Sequence, residues 1–193
     1  MPNRAVFLDR DGTINEEVNY LGSVEQLQFI EGAEVAIARL NEAALKVIVI
    51  TNQAGVARGY FAPDAVERIH STMKERLEAR RAHVNAFYYC PHHPTAGVGP
   101  YKVECDCRKP KPGMLHRAAQ DLDIDLSHSF VVGDNVSDLE AGQAAGCRLV
   151  LVRTGYGRET EAKLAGASVK PDFVAANLLE ASSWILQQAT CGS

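Results

Sequence analysis

The sequence contains no long hydrophobic run, no excess of positive charge and no cysteine framework. No apolar stretch approaches the length of a membrane-spanning helix, and the amino terminus has no hydrophobic signal-peptide region, so we expect a cytoplasmic protein without membrane contact. The formal net charge of −4 argues against a broad surface for nucleic acid. The five cysteines are an odd number, which disfavours a set of disulfides in a reducing compartment.

The composition is that of a folded globular chain. Its 193 residues are 46% hydrophobic and 23% charged, without repeats or low-complexity tracts. This length suits one domain with an ordinary core, and we assign residues 1–193 to a single domain. Since there is no long heptad repeat, we expect a monomer.

Short apolar runs bounded by turn residues recur along the chain and predict β-strands. They are rich in β-branched residues and do not alternate with polar ones, as is typical of parallel strands buried on both faces. The predicted strands are Ala5–Leu8, Val47–Ile50, Phe130–Val132 and Leu149–Val152.

Helical patterns lie between these runs, so the chain is predicted to form an α/β fold with a mainly parallel sheet flanked by helices. Apolar residues at helical spacing are Ala36, Ile37, Leu40 and Ala44 in a first helix, and Val66, Ile69, Met73 and Leu77 in a second that begins at Pro63-Asp64. Further helices are predicted at Met114–Leu122, Ser137–Ala145 and Leu178–Gln188.

Polar residues follow three predicted strands at the point where each strand ends. These segments are Asp9–Thr13, Thr51–Gln53 and Gly133–Asp138. Such residues also make ordinary turns. However, the carboxyl ends of parallel strands share the edge of the sheet where ligands bind, and three clusters on one edge favour a functional site.

Asp9 and Asp11 are the first candidates for chemistry at this edge. Residues i and i+2 of an extended chain point the same way, so both carboxylates could face one ligand. Mg²⁺ together with a substrate phosphate would relieve their repulsion. Asp134 could supply a third carboxylate, and Asp138 either contributes to the metal or orients a ligand.

Three basic residues before a predicted helix, Arg108, Lys109 and Lys111, could balance this charge. Three carboxylates and a phosphate dianion would carry about −5, which a site of low dielectric constant cannot hold without cations. Mg²⁺ and one or two of these basic side chains would offset most of it.

Three cysteines and neighbouring histidines form a candidate zinc site. With His92 as a ligand, in preference to His93, the ligand set is Cys90, His92, Cys105 and Cys107. Three thiolates and one imidazole form a closed set suited to structural Zn²⁺. The zinc loop, residues 90–107, abuts Arg108, and we hypothesise that the metal positions the basic segment. Cys147 and Cys191 stand alone and are expected to be packing or surface residues.

Four segments together resemble the haloacid-dehalogenase-like (HAD) phosphohydrolases. In the order of that family's four motifs, the matching segments are Asp9-Arg10-Asp11-Gly12-Thr13, Thr51-Asn52, Lys109-Pro110 and Gly133-Asp134 through Asp138. The resemblance covers nearly the whole chain and implies a Rossmann-like HAD fold. Between Thr13 and Val47 there is no room for a folded cap domain.

The resemblance implies a phosphatase that forms an aspartyl-phosphate intermediate. Asp9 would be the nucleophile, and Asp11 would act first as the acid and then as the base. Mg²⁺ would be bound by the side chains of Asp9 and Asp134 and by the backbone of Asp11. The residues that hold the phosphate oxygens would be Thr51, Asn52 and Lys109.

Two segments carry a closer resemblance: Thr51-Asn52-Gln53 with Gly55, Ala57, Arg58 and Gly59, and Tyr89-Cys90-Pro91-His92-His93-Pro94. Within the superfamily they are similar to the branch that holds the heptose 1,7-bisphosphate 7-phosphatases and the histidinol-phosphatase domain. The length of the chain favours the former, which implies a sugar phosphate substrate and a role in heptose and lipopolysaccharide precursor synthesis. At Asn135 the chain departs from relatives that carry a lysine. The residues implied in substrate binding are Asp9, Arg10, Asp11, Glu17, Val18, Asn19, Tyr20, Thr51, Asn52, Gln53, Ala54, Arg108 and Lys109.

Other functions stay open. Histidinol phosphate ranks second as the substrate, and a polynucleotide end phosphatase would share the aspartate chemistry but need a basic groove. A zinc-stapled binding module without catalysis belongs to a different class of function. The acidic charge and the absence of an aromatic and basic stripe argue against nucleic acid as a partner.

Overall fold

The computed structural model describes residues 3–97 and 99–190. The strands are β1 (Ala5–Leu8), β2 (Lys46–Asn52), β3 (Ala86–Cys90), β4 (Phe130–Gly133), β5 (Arg148–Val152) and β6 (Phe173–Ala175). The helices are α1 (Ala33–Glu42), α2 (Ala54–Ala57), α3 (Pro63–Glu78), α4 (Gly113–Leu122), α5 (Val136–Ala145), α6 (Gly157–Lys163) and α7 (Leu178–Thr190).

The six strands form one all-parallel sheet in the order β3-β2-β1-β4-β5-β6. The chain leaves β1 towards β2 and β3 on one side and later returns to β4 on the other side. In such a sheet a crevice opens beyond the carboxyl ends of the strands where the order reverses. This places the crevice at β1 and β4.

Both faces of the sheet are covered by helices, which confirms the predicted α/β class. In β1, Val6 and Leu8 pack on one face and Ala5 and Phe7 on the other, and all four are fully buried. Helices α1, α3 and α7 pack on the first face, and α4 and α5 on the second. Burial on both faces is why the inner strands are continuous apolar runs.

The four predicted strands are confirmed, but two strands were missed. β3 lies at one edge of the sheet and only its last residue, Cys90, is buried, so the segment lacks a continuous buried run. β6 at the other edge has only three residues. The assignment of Ala44 to the apolar stripe was wrong, because α1 ends at Glu42 and Ala44 is exposed with a φ of 58°.

Helix α5, which carries the candidate acid Asp138 and follows Asp134, starts at a defined signal. The side chain of Asn135 accepts a hydrogen bond from the Ser137 amide, and Asp138 accepts one from the Asn135 amide. This reciprocal capping box begins α5 immediately after β4. The helix ends at Gly146, whose φ of 78° favours glycine. Asp134 is thereby fixed in the short turn between β4 and α5.

The segment between β1 and α1 is small, in agreement with the prediction of no folded cap. It contains one 3-10 turn, Val24–Gln26, and an antiparallel bridge between Asn15 and Phe29. Cys147 is buried, as expected of a packing residue, whereas Cys191 lies outside the described residues. None of the helices within residues 3–97 and 99–190 has the length and apolar character needed to cross a membrane. The assignment of residues 1–193 to one domain stays a prediction.

We predict that Ile37→Ala lowers the free energy of unfolding by about 2–5 kcal/mol, because it leaves a cavity beneath α1. Ile37 is 0% exposed, whereas Val35 on the same helix is 49% exposed. Val35→Ala is therefore the matched control and should change stability by less than about 0.5 kcal/mol. Urea unfolding measures both. Equal losses for the two variants would contradict the packing described for α1.

Candidate active site

The carboxyl ends of β1, β2 and β4 open into a polar cavity of about 340 Å³, here called the inner cavity. It is lined by Asp9, Asp11, Glu17, Thr51, Asn52, Arg108, Lys109, Asp134, Asn135, Ser137, Asp138 and Tyr156. The sequence-predicted residues Asp9, Asp11, Thr51, Asn52, Lys109 and Asp134 are therefore together at one edge of the sheet. Asp9 lies there because its amide donates to the carbonyl of Val132 and continues the pairing of β1 with β4.

Lys109 joins two of the acids at the floor of this cavity. Its Nζ lies 2.7 Å from Asp9 Oδ1 and 2.6 Å from Asp138 Oδ1, and it donates to the carbonyl of Ile50 at 2.9 Å. Burial acts to lower the pKa of Lys109, but Asp138 and Asp9 hold it above the usual range. Lys109 is thus a buried cation at neutral pH.

Asp9, Asp134 and Asp138 form a cluster in which one carboxylate oxygen of each lies within 4.8 Å of the others. Burial raises the pKa of Asp9 to about 7, against the lowering effect of Lys109. Burial, with Asp9 and Asp138 nearby, raises the pKa of Asp134 to about 8. One lysine does not balance three carboxylates, so the cluster has the charge and the oxygen ligands to hold a divalent cation.

Two glycines permit the close packing of Asp134. A Cβ added at Gly12 would lie 2.2 Å from Asp134 Oδ2, and one at Gly155 would lie 2.1 Å from the same atom. Both glycines also have positive φ, 81° and 53°. The amide of Tyr156 donates to Asp134 Oδ2 at 2.7 Å. The backbone therefore surrounds this carboxylate and fixes its direction.

Asp11 accepts four hydrogen bonds. Arg10 donates to both oxygens, from Nε at 3.1 Å and from Nη2 at 2.8 Å. Asn15 donates to Oδ1 at 2.9 Å and Gln53 to Oδ2 at 2.8 Å. Burial acts to raise the pKa of Asp11, but Arg10 and these hydrogen bonds together lower it below the usual value. Asp11 is a carboxylate in this structure.

The position of Arg10 differs from the expectation that it contacts substrate. Its side chain is fully buried and lies behind Asp11, outside the residues that line the cavity. Arg10 follows the end of β1 and lies between two cavity-lining aspartates, but its own side chain is buried against His70.

The loop that carries Lys109 is fixed by Asn52 at the end of β2. The Asn52 amide group donates to the Lys109 carbonyl at 3.0 Å, and the Lys109 amide donates to Asn52 Oδ1 at 3.1 Å. Thr51 lines the cavity and accepts a hydrogen bond from Gln53 at 2.9 Å. Asn52 therefore acts through the backbone of Lys109 as well as lining the cavity.

A second, adjoining cavity of about 390 Å³, here called the outer cavity, shares several of the lining residues of the first. It is lined by Asp11, Glu17, Asn19, Tyr20, Asn52, Gln53, Ala54, Gly55, Arg108, Asn135 and Tyr156. The predicted substrate-binding residues Glu17, Asn19, Tyr20, Gln53, Ala54 and Arg108 all lie here. Val18 does not, and its side chain is exposed.

The segment at the mouth of the outer cavity has an unusual backbone. Asn19 and Tyr20 both have positive φ, 52° and 76°. The Asn19 amide donates to Glu17 at 2.6 Å, and its side chain accepts from the hydroxyl of Tyr156 at 3.0 Å. Such non-glycine residues persist only where neighbouring contacts hold them, and they are common at binding sites.

Cys90, His92, Cys105 and Cys107 form a second cluster of potential metal ligands. Cys105 Sγ lies 3.5 Å from Cys90 Sγ and 3.3 Å from Cys107 Sγ. His92 Nδ1 lies 3.5 Å from Cys107 Sγ. These separations are too long for a disulfide. His93 is excluded from the cluster, because its Nδ1 accepts from the amides of Thr95 and Ala96.

The cysteine cluster connects directly to the cavities. Arg108 Nη1 donates to the carbonyl of His92 at 3.1 Å, while Arg108 lines both the inner and the outer cavity. Lys111, in contrast, pairs with Glu104 and Asp106 on the surface. Of the three basic residues considered in the sequence, two therefore belong to the site and Lys111 does not.

Several lining residues were missed or left open by the sequence, among them Asn135, whose role was undecided. Tyr156 lines both cavities, and the turn Thr154–Gly157 after the predicted strand Leu149–Val152 was the available signal. Ser137 lies in the first turn of α5. Asp138, whose role was undecided, both caps α5 and pairs with Lys109.

Comparisons with known proteins agree with this geometry. The HAD-hydrolase-like family model matches residues 106–181. A D-glycero-beta-D-manno-heptose-1,7-bisphosphate 7-phosphatase of Pasteurella multocida is 46% identical over 79% of this chain and 83% of its own length. A D-glycero-D-manno-heptose-1,7-bisphosphate 7-phosphatase of Thermosynechococcus vestitus is 43% identical over 96% of both chains.

A solved structure is similar along nearly the whole chain. It is a D,D-heptose 1,7-bisphosphate phosphatase from B. bronchiseptica complexed with magnesium and phosphate. Its TM-score is 0.85 at 36% identity, covering 96% of this chain and 99% of that one.

We predict that Asp134→Asn stabilises the metal-free protein at high pH. The pKa of Asp134 is raised from 3.8 to about 8, so between these values the folded protein holds a proton that the unfolded chain has lost. Stability therefore falls as the pH rises through this window. In EDTA at pH 9 the variant should gain about 1 kcal/mol or more over the wild type, and little at pH 4.

Thermal unfolding at the two pH values measures this difference. Glu42→Gln, at an exposed residue at the end of α1, is the control and should not alter the pH dependence. A gain for Asp134→Asn that is the same at pH 4 and pH 9 would contradict the repulsion described here.

Proposed function

Since the chain belongs to the family of D-glycero-D-manno-heptose-1,7-bisphosphate 7-phosphatases, among the HAD-like hydrolases, we propose that it removes the 7-phosphate of that heptose bisphosphate. The protein is a phosphatase. The observation that carries the proposal is the cluster of Asp9, Lys109, Asp134 and Asp138 in a polar cavity that widens into a second cavity. The first cavity suits a phosphate and the second suits the remainder of a phosphorylated sugar.

Asp9 is the nucleophile in this proposal. A carboxylate oxygen of Asp9 attacks the phosphorus, and the bond between phosphorus and the sugar oxygen breaks, which leaves an aspartyl-phosphate. Lys109, held 2.7 Å from Asp9 Oδ1, lowers the pKa of this carboxyl against the effect of burial and offers a positive charge to the transferred phosphoryl oxygens. Thr51 lines the same cavity and is placed to donate its hydroxyl proton to one of them.

Asp11 is the acid and base. It gives a proton to the departing sugar oxygen and then takes one from the water that attacks the aspartyl-phosphate, which restores Asp9. Its lowered pKa suits the second step. For the first step, the negative charge of a bound phosphate dianion raises the pKa of a nearby carboxylate and favours its protonation.

The acidic cluster fits Mg²⁺. Oxygen ligands and uncompensated negative charge are what this ion requires, and the side chains of Asp9 and Asp134 with the backbone of Asp11 would hold it. When bound, Mg²⁺ supplies positive charge to the phosphate and to Asp9. Asp138 is not assigned to the ion, because it forms an ion pair with Lys109 at 2.6 Å.

The outer cavity suits the sugar and its second phosphate. Arg108 is the cation there, and a guanidinium binds phosphate through two parallel hydrogen bonds. Glu17, Asn19 and Gln53 present groups that bind hydroxyls. Asn135 lines both cavities with a neutral amide side chain.

The cysteine cluster fits structural Zn²⁺. A tetrahedral ion with bonds to sulfur of about 2.3 Å needs sulfur atoms about 3.8 Å apart, close to the separations of 3.3 and 3.5 Å in this cluster. The four ligands Cys90, His92, Cys105 and Cys107 leave no open position, so the ion would order the loop without touching substrate. The hydrogen bond from Arg108 to the carbonyl of His92 connects this metal site to the cavity.

We predict that Asp9→Asn abolishes phosphatase activity, because an amide cannot form the aspartyl-phosphate. Release of inorganic phosphate is measured with Mg²⁺ on heptose 1,7-bisphosphate, histidinol phosphate and other sugar phosphates. The wild type should prefer the heptose bisphosphate, and Asp9→Asn should lose at least about 10³-fold on all of them. Preference for histidinol phosphate would overturn the substrate, and an active Asp9→Asn would overturn the mechanism.

We predict that Cys107→Ala, or removal of zinc by a chelator, raises KM for the bisphosphate about tenfold or more, because Arg108 loses its support. The bound metal is counted by elemental analysis of the purified protein. Cys147→Ala is the matched control, since Cys147 is a buried thiol outside the cluster. Unchanged kinetics in a zinc-free protein would contradict the proposed link.

A further inference from the structure

Arg10 connects the candidate acid Asp11 to a histidine on α3. Two guanidinium nitrogens are used on Asp11, and the third, Nη1, lies 3.3 Å from His70 Nε2. Arg10 is fully buried and His70 is 7% exposed, so neither of them touches a substrate in the cavities. The three side chains form a continuous row from α3 to the cavity.

The chemistry of the pair defines the state of His70. A guanidinium has only donors, so Nε2 must accept and the ring proton must lie on Nδ1. Burial, together with Arg10, lowers the pKa of His70 to about 3, so the ring is neutral. It stacks on Phe87 with ring centroids 4.7 Å apart and meets the edge of Tyr89 at 5.8 Å. His70 is therefore a rigid, uncharged acceptor.

The fixed position of His70 Nε2 constrains the orientation of the Asp11 carboxylate through Arg10. Arg10 meets Asp11 through Nε and Nη2, so the plane of the guanidinium sets the plane of the carboxylate. Without His70, Nη1 would be a buried donor with no partner, and the guanidinium would gain by rotating towards another acceptor. The direction of Asp11 would then change.

We propose that His70 is a positioning residue for the phosphatase reaction: through Arg10 it fixes the direction in which Asp11 delivers a proton to the departing oxygen. This inference rests on the proposed role of Asp11 as the acid. His70 would thus affect catalysis although Arg10 and Asp11 lie between it and the cavity. The residue acts on the proton transfers of Asp11 and not on phosphate binding.

The test compares two leaving groups in the full-length protein with Mg²⁺. An alkyl phosphate, here the sugar phosphate, needs a proton on the departing oxygen, whereas the nitrophenolate of p-nitrophenyl phosphate departs without one. His70→Phe keeps an aromatic ring but removes Nε2. It should lower kcat/KM on the sugar phosphate about tenfold or more relative to p-nitrophenyl phosphate, because kcat/KM covers the steps up to departure of the leaving group and not the later hydrolysis of the aspartyl-phosphate.

Three further variants complete the test. His70→Gln keeps an acceptor and should retain the wild-type ratio of the two rates within about threefold. Arg10→Lys removes the guanidinium that donates to both Asp11 and His70. It should show the same selective loss of activity on the sugar phosphate as His70→Phe. Phe87→Leu removes the stacked ring but not Nε2, and should leave the ratio unchanged.

The ratio is taken on one preparation, so a partly unfolded variant lowers both rates equally and does not alter it. An equal loss on both substrates, or an unchanged ratio in His70→Phe, would overturn the proposal. A wild-type protein without activity on either substrate would instead overturn the proposed function, and this inference with it.

Discussion

The contact of Lys109 with Asp9 and Asp138 is the interaction on which the site depends. Lys109 comes from the loop before α4, Asp9 from the end of β1 and Asp138 from the first turn of α5, so one buried ammonium joins three parts of the fold. An unpaired lysine or aspartate would be costly at this depth. Asn52 fixes the backbone of Lys109, and the capping box fixes Asp138, so the same contacts that order the edge of the sheet also place the nucleophile.

Much of this arrangement can be predicted from local sequence patterns. Strands buried on both faces are continuous apolar runs, and residues after them must share one edge, which is why Asp9, Thr51 and Asp134 were found together from the sequence. β3 and β6 were not predicted, because edge strands need no continuous run of buried apolar residues. Ala44 was misplaced because helical spacing continues past the residue where the helix ends.

What could not be predicted depends on direction and on distant pairing. Arg10 stands between two candidate acids in the sequence, but its partner His70 is 60 residues away and no local pattern connects them. The choice between His92 and His93 likewise required the structure, because the amides of Thr95 and Ala96 occupy His93. The role of Asp138 became clear only with the position of Lys109.

The pairing of β1 with β4 has a consequence for how the chain folds. The amide of Ala5 donates to the hydroxyl of Ser129, 124 residues further along, beside the strand register that joins Val6 to Phe130. Closing so long a loop is slow, and synthesis runs from the amino end, so β1 must wait for β4 to emerge. Asp9 and Asp134 are therefore brought together only when β1 pairs with β4. The electrostatic cost of gathering the acids is met by the same pairing that buries the apolar side chains of these two strands.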